Sequence, residues 1–188
     1  MHGHQSAERR ARDLLRDHGV TAPPVEVEVL AAAENIAIDF QDLGQTVSGL
    51  VVRGPNGRAT IGVNALHPPN RRRFTIAHEI GHHLLHSDSA TVFVDELMVH
   101  FRDAANTAKA DPREMEANAF AAALLMPEDW LRADLRDRKI DLSDDVAVRN
   151  LATRYQVSQQ ALTFRLMNLN LLEGLPETTS VAARKRKS

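Results

Sequence analysis

A chain of 188 residues, 43% hydrophobic and 26% charged, is long and apolar enough to build one core, and no apolar run in it approaches membrane-spanning length. It has no cysteine, which excludes a disulfide framework and thiolate metal sites and leaves histidine and carboxylate as the available ligands. A formal net charge of −2 argues against an overall electrostatic grip on nucleic acid, no signal-peptide core follows Met1, and the expected compartment is a reducing cytoplasm.

From Ser6 to His18, Ala7, Ala11, Leu14 and Leu15 fall on one side among arginines and Gly19 ends the run, which predicts an amphipathic helix. Pro23-Pro24 breaks the chain, and Val25 to Asn35 reads as a second helix with Val27, Leu30 and Ala31 inward and Glu26 in its first turn. Ile36 to Phe40 alternates as a strand. Val47 to Arg53 and Ala59 to Val63 flank Gly54-Pro55-Asn56-Gly57, a strong hairpin turn. These strands are expected to form a small antiparallel sheet packed on the next helix. His67-Pro68-Pro69-Asn70 connects the two, with Asn70 placed as an N-cap.

That helix carries the chemistry. Phe74, Ala77, Gly81, Leu84 and Leu85 recur at helical spacing around His78-Glu79-x-x-His82. Residues four apart share a helix face, so His78 and His82 present imidazoles to a common point that suits Zn²⁺. Glu79 is badly placed to be a ligand but well placed to serve as the general base of a hydrolysis. Gly81 costs about 1 kcal/mol relative to alanine inside a helix, so another element is expected to approach closely there. The preceding Arg71-Arg72-Arg73 is read first as ion pairs with nearby carboxylates, and second as a basic edge of the cleft.

Val92, Val94, Val99 and Phe101 mark Thr91 to Phe101 as a candidate strand beside the cleft, and Arg102 to Ala110 as loop or frayed helix. Asp111 then reads as an N-cap and Pro112 as the first position of a helix through Leu125, ended by Met126-Pro127. Its small residues suit close packing on another helix.

A metal site needs a third ligand, for which His83, His86, His100 and a later carboxylate are candidates. His86 follows on the same straight helix with no glycine turn to redirect it, and His83 is rotated off the shared face. A glutamate from a separate helix would complete a set of two histidines and a glutamate, as in many zinc hydrolases. Glu114 shares a face with Ala117, Phe120, Ala121 and Leu124, whereas Glu116 lines up with Phe120 and Ala123, and spacing favours Glu114 by a small margin.

The block Arg72-Arg73-Phe74-Thr75-Ile76-Ala77-His78-Glu79-Ile80-Gly81-His82, paired with Glu114-Met115-Glu116-Ala117-Asn118-Ala119-Phe120 and the run on to Met126-Pro127, resembles the ImmA/IrrE family of metallopeptidases. The likeness covers roughly Ala7 to Leu172. It implies an α+β fold with a zincin-like metal helix, zinc held by His78, His82 and Glu114, and Glu79 as base. Glu116 would then lie outside the ligand set. It also implies an endopeptidase whose protein substrate is a helix-turn-helix repressor of the Xre type, cleaved to relieve repression of a stress-response or mobile-element operon.

Trp130 to Arg136, Ser143 to Tyr155 and Ser158 to Leu169 predict a helical C-terminal half. Leu151 to Leu166 has a helix-turn-helix look with Ser158 as cap, but its second helix carries a single cation, Arg165. A hairpin packing the core or docking a partner is therefore preferred to a DNA reader. The competing function is a DNA-binding or protein-docking module that retains an unused metal site. Residues 1–172 are read as one peptidase domain, with about 140–172 as a potential helical subdomain and 173–188 as a basic flexible tail ending in Arg184-Lys185-Arg186-Lys187. No DNA-binding unit is read ahead of Ala7 and no sensory unit after Leu172. His67, His100 and Tyr155 are the candidates for stabilising an oxyanion.

Overall fold

The computed structural model describes residues 2–54, 58–86, 92–96, 111–138 and 140–172. The tip of the expected turn (55–57), His100, Arg102 to Ala110 and the basic tail lie outside the described residues. The first helix, α1 (His2–Asp17), buries Ala7, Ala11, Leu14 and Leu15 as the periodicity predicts, and Gly19 ends it at φ 65°, a left-handed conformation that costs glycine nothing. Helix α2 (Val27–Ala33) is shorter than expected because Glu26 occupies the cap position and Asn35 turns left-handed, at φ 61°, ahead of the first strand.

Strands β1 (Ile36–Gln41), β2 (Val47–Arg53) and β3 (Ala59–Asn64) fall where alternation places them. The β2–β3 hairpin is closed by Gly54 N–H donating to the Arg58 carbonyl at 2.8 Å. A fourth strand, β4 (Val92–Glu96), lies within the stretch read as β-type and pairs antiparallel with β2. The sheet order is β1-β3-β2-β4.

In one respect the sheet departs from the antiparallel expectation, because β1 and β3 are parallel. The link 42–46 carries the chain past one strand position, and β3, returning from β2, fills the gap in the same sense as β1. Asn64, fully buried, holds that link. Its Nδ2 donates to the carbonyls of Gly44 (2.7 Å) and Val47 (2.8 Å), and its Oδ1 accepts from Leu66 N–H (3.1 Å).

The metal-motif helix, α3 (Pro69–Leu85), starts two residues earlier than an Asn70 cap would allow, with Pro68 at the cap and Pro69 at the first position. Asn70 instead donates to the Val157 carbonyl at 3.1 Å. The three arginines also differ from expectation. Arg73 is buried and donates to the carbonyls of Val25 (2.7 Å) and Gln156 (3.3 Å), Arg71 donates to Ser48 Oγ (3.0 Å), and Arg72 lies over the Phe40 ring. Buried main-chain carbonyls need donors, and a guanidinium carries enough N–H groups to serve several at once.

Helix α4 (Pro112–Leu125) is capped by Asp111, whose side chain accepts from Arg113 N–H at 2.9 Å. It packs on α3 at the point Gly81 foretells: a Cβ there would lie 3.1 Å from Phe120 Cδ1 and 3.3 Å from Ala117 Cα. Helices α5 (Glu128–Asp137), α6 (Asp145–Tyr155) and α7 (Gln159–Asn168) complete the helical half, with Ser158 accepting from Ala161 N–H at 3.1 Å as the predicted cap. Among the described residues no helix is long and apolar enough to cross a membrane.

Candidate metal centre

α3 lies between the sheet and α4 and is buried from Thr75 to His82. His78, Glu79 and His82 are 3%, 0% and 1% exposed. The four-residue spacing brings the two Nε2 atoms within 2.9 Å of each other. Glu114, in the first turn of α4, meets them from the facing helix, with carboxylate oxygens 3.2 Å from His78 Nε2 and 3.0 Å from His82 Nε2. Among the described residues this is the group of three whose ligand atoms lie close enough, within 4.8 Å, to hold a metal ion.

Burial opposes the charge of Glu114, but hydrogen bonds from His78 and His82 outweigh it and hold the carboxyl well below the usual carboxylate range. His78 is oriented from behind. Its Nδ1 lies 3.0 Å from Oδ1 of Asn118, one turn beyond Glu114 on α4. The amide oxygen can only accept, so Nδ1 carries a proton, and Nε2, which faces Glu114, is the nitrogen that would bind an ion on losing its own. Two imidazoles, one fixed in the right tautomer, and a buried carboxylate suit a divalent ion with nitrogen and oxygen ligands, zinc among them.

Other candidates for the third position are turned elsewhere. Glu116 Oε1 lies where a side chain on Gly3 of α1 would be, so this carboxylate faces α1. His86 donates from Nε2 to the Arg113 carbonyl at 3.3 Å and ties the end of α3 to the start of α4. His83 is half-buried, and burial followed by the charge of Arg53 pushes its imidazole below its ordinary range.

Among the oxyanion candidates, Tyr155 is fully buried and donates to Asp134 Oδ2 at 2.9 Å, so its hydroxyl is committed to α5. His67 precedes α3, whereas His78 sits nine residues into it, roughly 14 Å along the axis. Arg165, the one cation of the DNA-reading interpretation of α7, is 4% exposed, donates to the Met126 carbonyl at 3.2 Å and pairs with Glu8.

Two residues escaped the sequence reading. Asn118 could have been found by its spacing, four residues from Glu114 and therefore on the same face of α4. Arg53 had no such signal: from the end of β2 it donates to the carbonyls of His82 (2.8 Å), which also accepts from His86 N–H, and His83 (3.4 Å) in the last turn of α3.

A model of the IrrE N-terminal-like domain matches residues 31–167. The radiation response metalloprotease IrrE of Deinococcus radiodurans is 29% identical over 163 residues, covering 86% of this chain and 46% of that protein. An uncharacterized immunity region protein of Bacillus phage phi105 is 37% identical over 79 residues, 42% of this chain and 44% of the phage protein. Among solved structures, a Mycobacterium tuberculosis transcriptional regulator superposes with a TM-score of 0.56 at 20% identity, over 86% of this chain and 46% of its own, a likeness of fold. The chain thus spans less than half the length of these relatives.

Proposed function

This chain belongs to the family of IrrE N-terminal-like domains, and from that premise we propose that it is a zinc-dependent endopeptidase acting in the cytoplasm on a helix-turn-helix repressor of the Xre type. One observation carries the reading. His78, His82 and Glu114 converge from two helices on one point, and Glu79, beside the first of them, is fully buried. A surface charge has no reason to be there; a general base has. The names of the relatives, a radiation-response metalloprotease and a phage immunity-region protein, support a regulatory setting in which loss of a repressor is the output.

Zinc, when bound, would polarise the scissile carbonyl and acidify the attacking water. His78, His82 and Glu114 would hold it, with Asn118 keeping His78 in the tautomer that can bind. Glu79 takes the proton of the attacking water and returns it to the departing amine, which turns a poor leaving group into a neutral one. The enclosure of Glu79 and the histidines by β2 and α4 limits bulk water around these groups and strengthens their electrostatic interactions.

The test is co-expression with the product of an adjacent repressor-like gene and a cleavage assay with and without chelator. The native chain is expected to cut the repressor only without chelator. Glu79→Gln is expected to keep one zinc per chain and lose cleavage by 10²–10⁴-fold, the usual scale for a positioned base. Undiminished cleavage by Glu79→Gln would overturn the mechanism.

A further inference from the structure

Glu79 is aimed by something other than its own helix. Thr75 and Glu79 lie four residues apart on the face of α3 turned toward the sheet, and both meet β2 at Gly49. A Cβ on Gly49 would lie 2.4 Å from Thr75 Cγ2, 3.1 Å from the Gly62 carbonyl oxygen and 3.2 Å from Glu79 Oε1. Gly49 is not among the positive-φ glycines, so the backbone does not require glycine here and the space does.

The neighbouring strand gives a contrast. The atoms nearest a Cβ on Gly62 would be those of the Leu50 side chain, 3.2 Å at nearest, which can turn aside. At this same point β2 slips register against β4: Val47 pairs with Glu96 and Gly49 with Asp95, leaving Ser48 as the extra residue of a bulge. Ser48 is buried and accepts from Arg71 of α3. The bulge and the missing side chain together let the helix settle onto the strand at Glu79.

We propose that Gly49 is a positioning residue for Glu79: the bare strand at the bulge is the wall against which the carboxylate is set. The inference rests on the reading of Glu79 as general base. An alanine at 49 would push the carboxylate off this wall, whereas no atom of the ligands His78, His82 and Glu114 is among the three nearest to that Cβ.

The test is carried out in a Thr75→Ser background, which removes the severe Thr75 Cγ2 contact and leaves the one to Glu79. The contact to the Gly62 carbonyl oxygen also remains, so in that background Gly49→Ala and Glu79→Ala are made singly and together to isolate the part that depends on Glu79, with Gly62→Ala as control. Two readouts are taken: the denaturant midpoint of the metal-free protein, and kcat and KM on the cleaved repressor with zinc content measured alongside. Gly49→Ala is expected to lower the midpoint less once Glu79 is alanine, since the contact is gone. It is expected to lower kcat on the order of tenfold with KM and zinc content held, as misplacement of a catalytic group does. Glu79→Ala should then cost less activity in the Gly49→Ala protein than without it.

Gly62→Ala should show neither coupling. If Gly49→Ala does not fold, folding restored by Glu79→Ala supports the proposal, and folding not restored overturns it. Chelator-sensitive cleavage by the native chain with independent, additive effects of the two substitutions overturns the proposal and leaves the protease reading intact. Coupled midpoints with no cleavage by the native chain overturn the protease reading, and the catalytic purpose of Gly49 with it.

Discussion

The Nδ1 of His78 sits 3.0 Å from the side-chain oxygen of Asn118, so α4 contributes to the candidate metal centre twice: once through Glu114 and, one turn later, through the amide that orients the opposing imidazole. Helix spacing explains the pairing. Positions 114 and 118 share a face, as 78 and 82 do on α3, and the two faces meet where Gly81 and Ala117 allow the backbones to approach.

Asn118→Ala should therefore weaken zinc binding by roughly 10–100-fold, the usual cost of losing an outer partner of a ligating histidine, without removing any ligand. Competition with a chromogenic chelator measures this. Affinity unchanged within about twofold would mean that packing alone holds His78.

Glu114→Gln is expected to lose zinc, and Glu116→Gln to retain it, because Glu114 faces both Nε2 atoms whereas Glu116 faces α1 beside Gly3. Metal analysis of the two purified variants separates the carboxylates. Zinc lost from Glu116→Gln alone would refute the assignment.

Asp134 joins α5 to α6, accepting from Arg138 (2.8 Å), Arg154 (2.9 Å) and Tyr155 (2.9 Å). Burial pushes its carboxyl up, but the hydrogen bonds from Arg154, Arg138 and Tyr155 outweigh burial and set it below its ordinary value. A depressed folded-state value contributes stability above the unfolded value of about 3.9, and this is lost as pH falls through the folded value. Asp134→Asn should then be less stable than the native chain near pH 6, with the difference shrinking below about pH 4. Denaturation midpoints across that range test it, and a difference independent of pH would count against the charged network.

The helical half is proposed to unfold with the rest as one unit. Arg165 of α7 reaches Glu8 of α1 and the end of α4, Asn70 of α3 reaches Val157, and Arg73 reaches Gln156. Limited proteolysis should yield no pair of stable fragments divided near Asp141 to Asp145. Two folded pieces from a cut there would make 140–172 a separate subdomain.

Much of this was legible in the sequence because the signals are local. Ala7, Ala11, Leu14 and Leu15 bury at helical spacing, Asp111 and Ser158 cap the helices they precede, and the spacing of His78 and His82 is itself enough to bring two imidazoles together on a helix. Each depends on groups within a turn or two of one another, so composition and period suffice.

What the tertiary structure decided are the contacts whose partners lie far along the chain. Spacing barely separated Glu114 from Glu116, and the resemblance pointed to Glu114; the packing of α4 on α3 turns Glu114 to the histidines and Glu116 to α1. Arg71, Arg72 and Arg73 read as one charge run, yet the fold gives them a hydroxyl, a ring and two main-chain carbonyls. The parallel pairing of β1 with β3 depends on how far the link 42–46 carries the chain, and the seat of Glu79 on Gly49 depends on a bulge in a strand 30 residues earlier. A helix period specifies which way a side chain leaves its own axis. It carries no information about which element stands opposite, because that is set by the summed burial of the whole core.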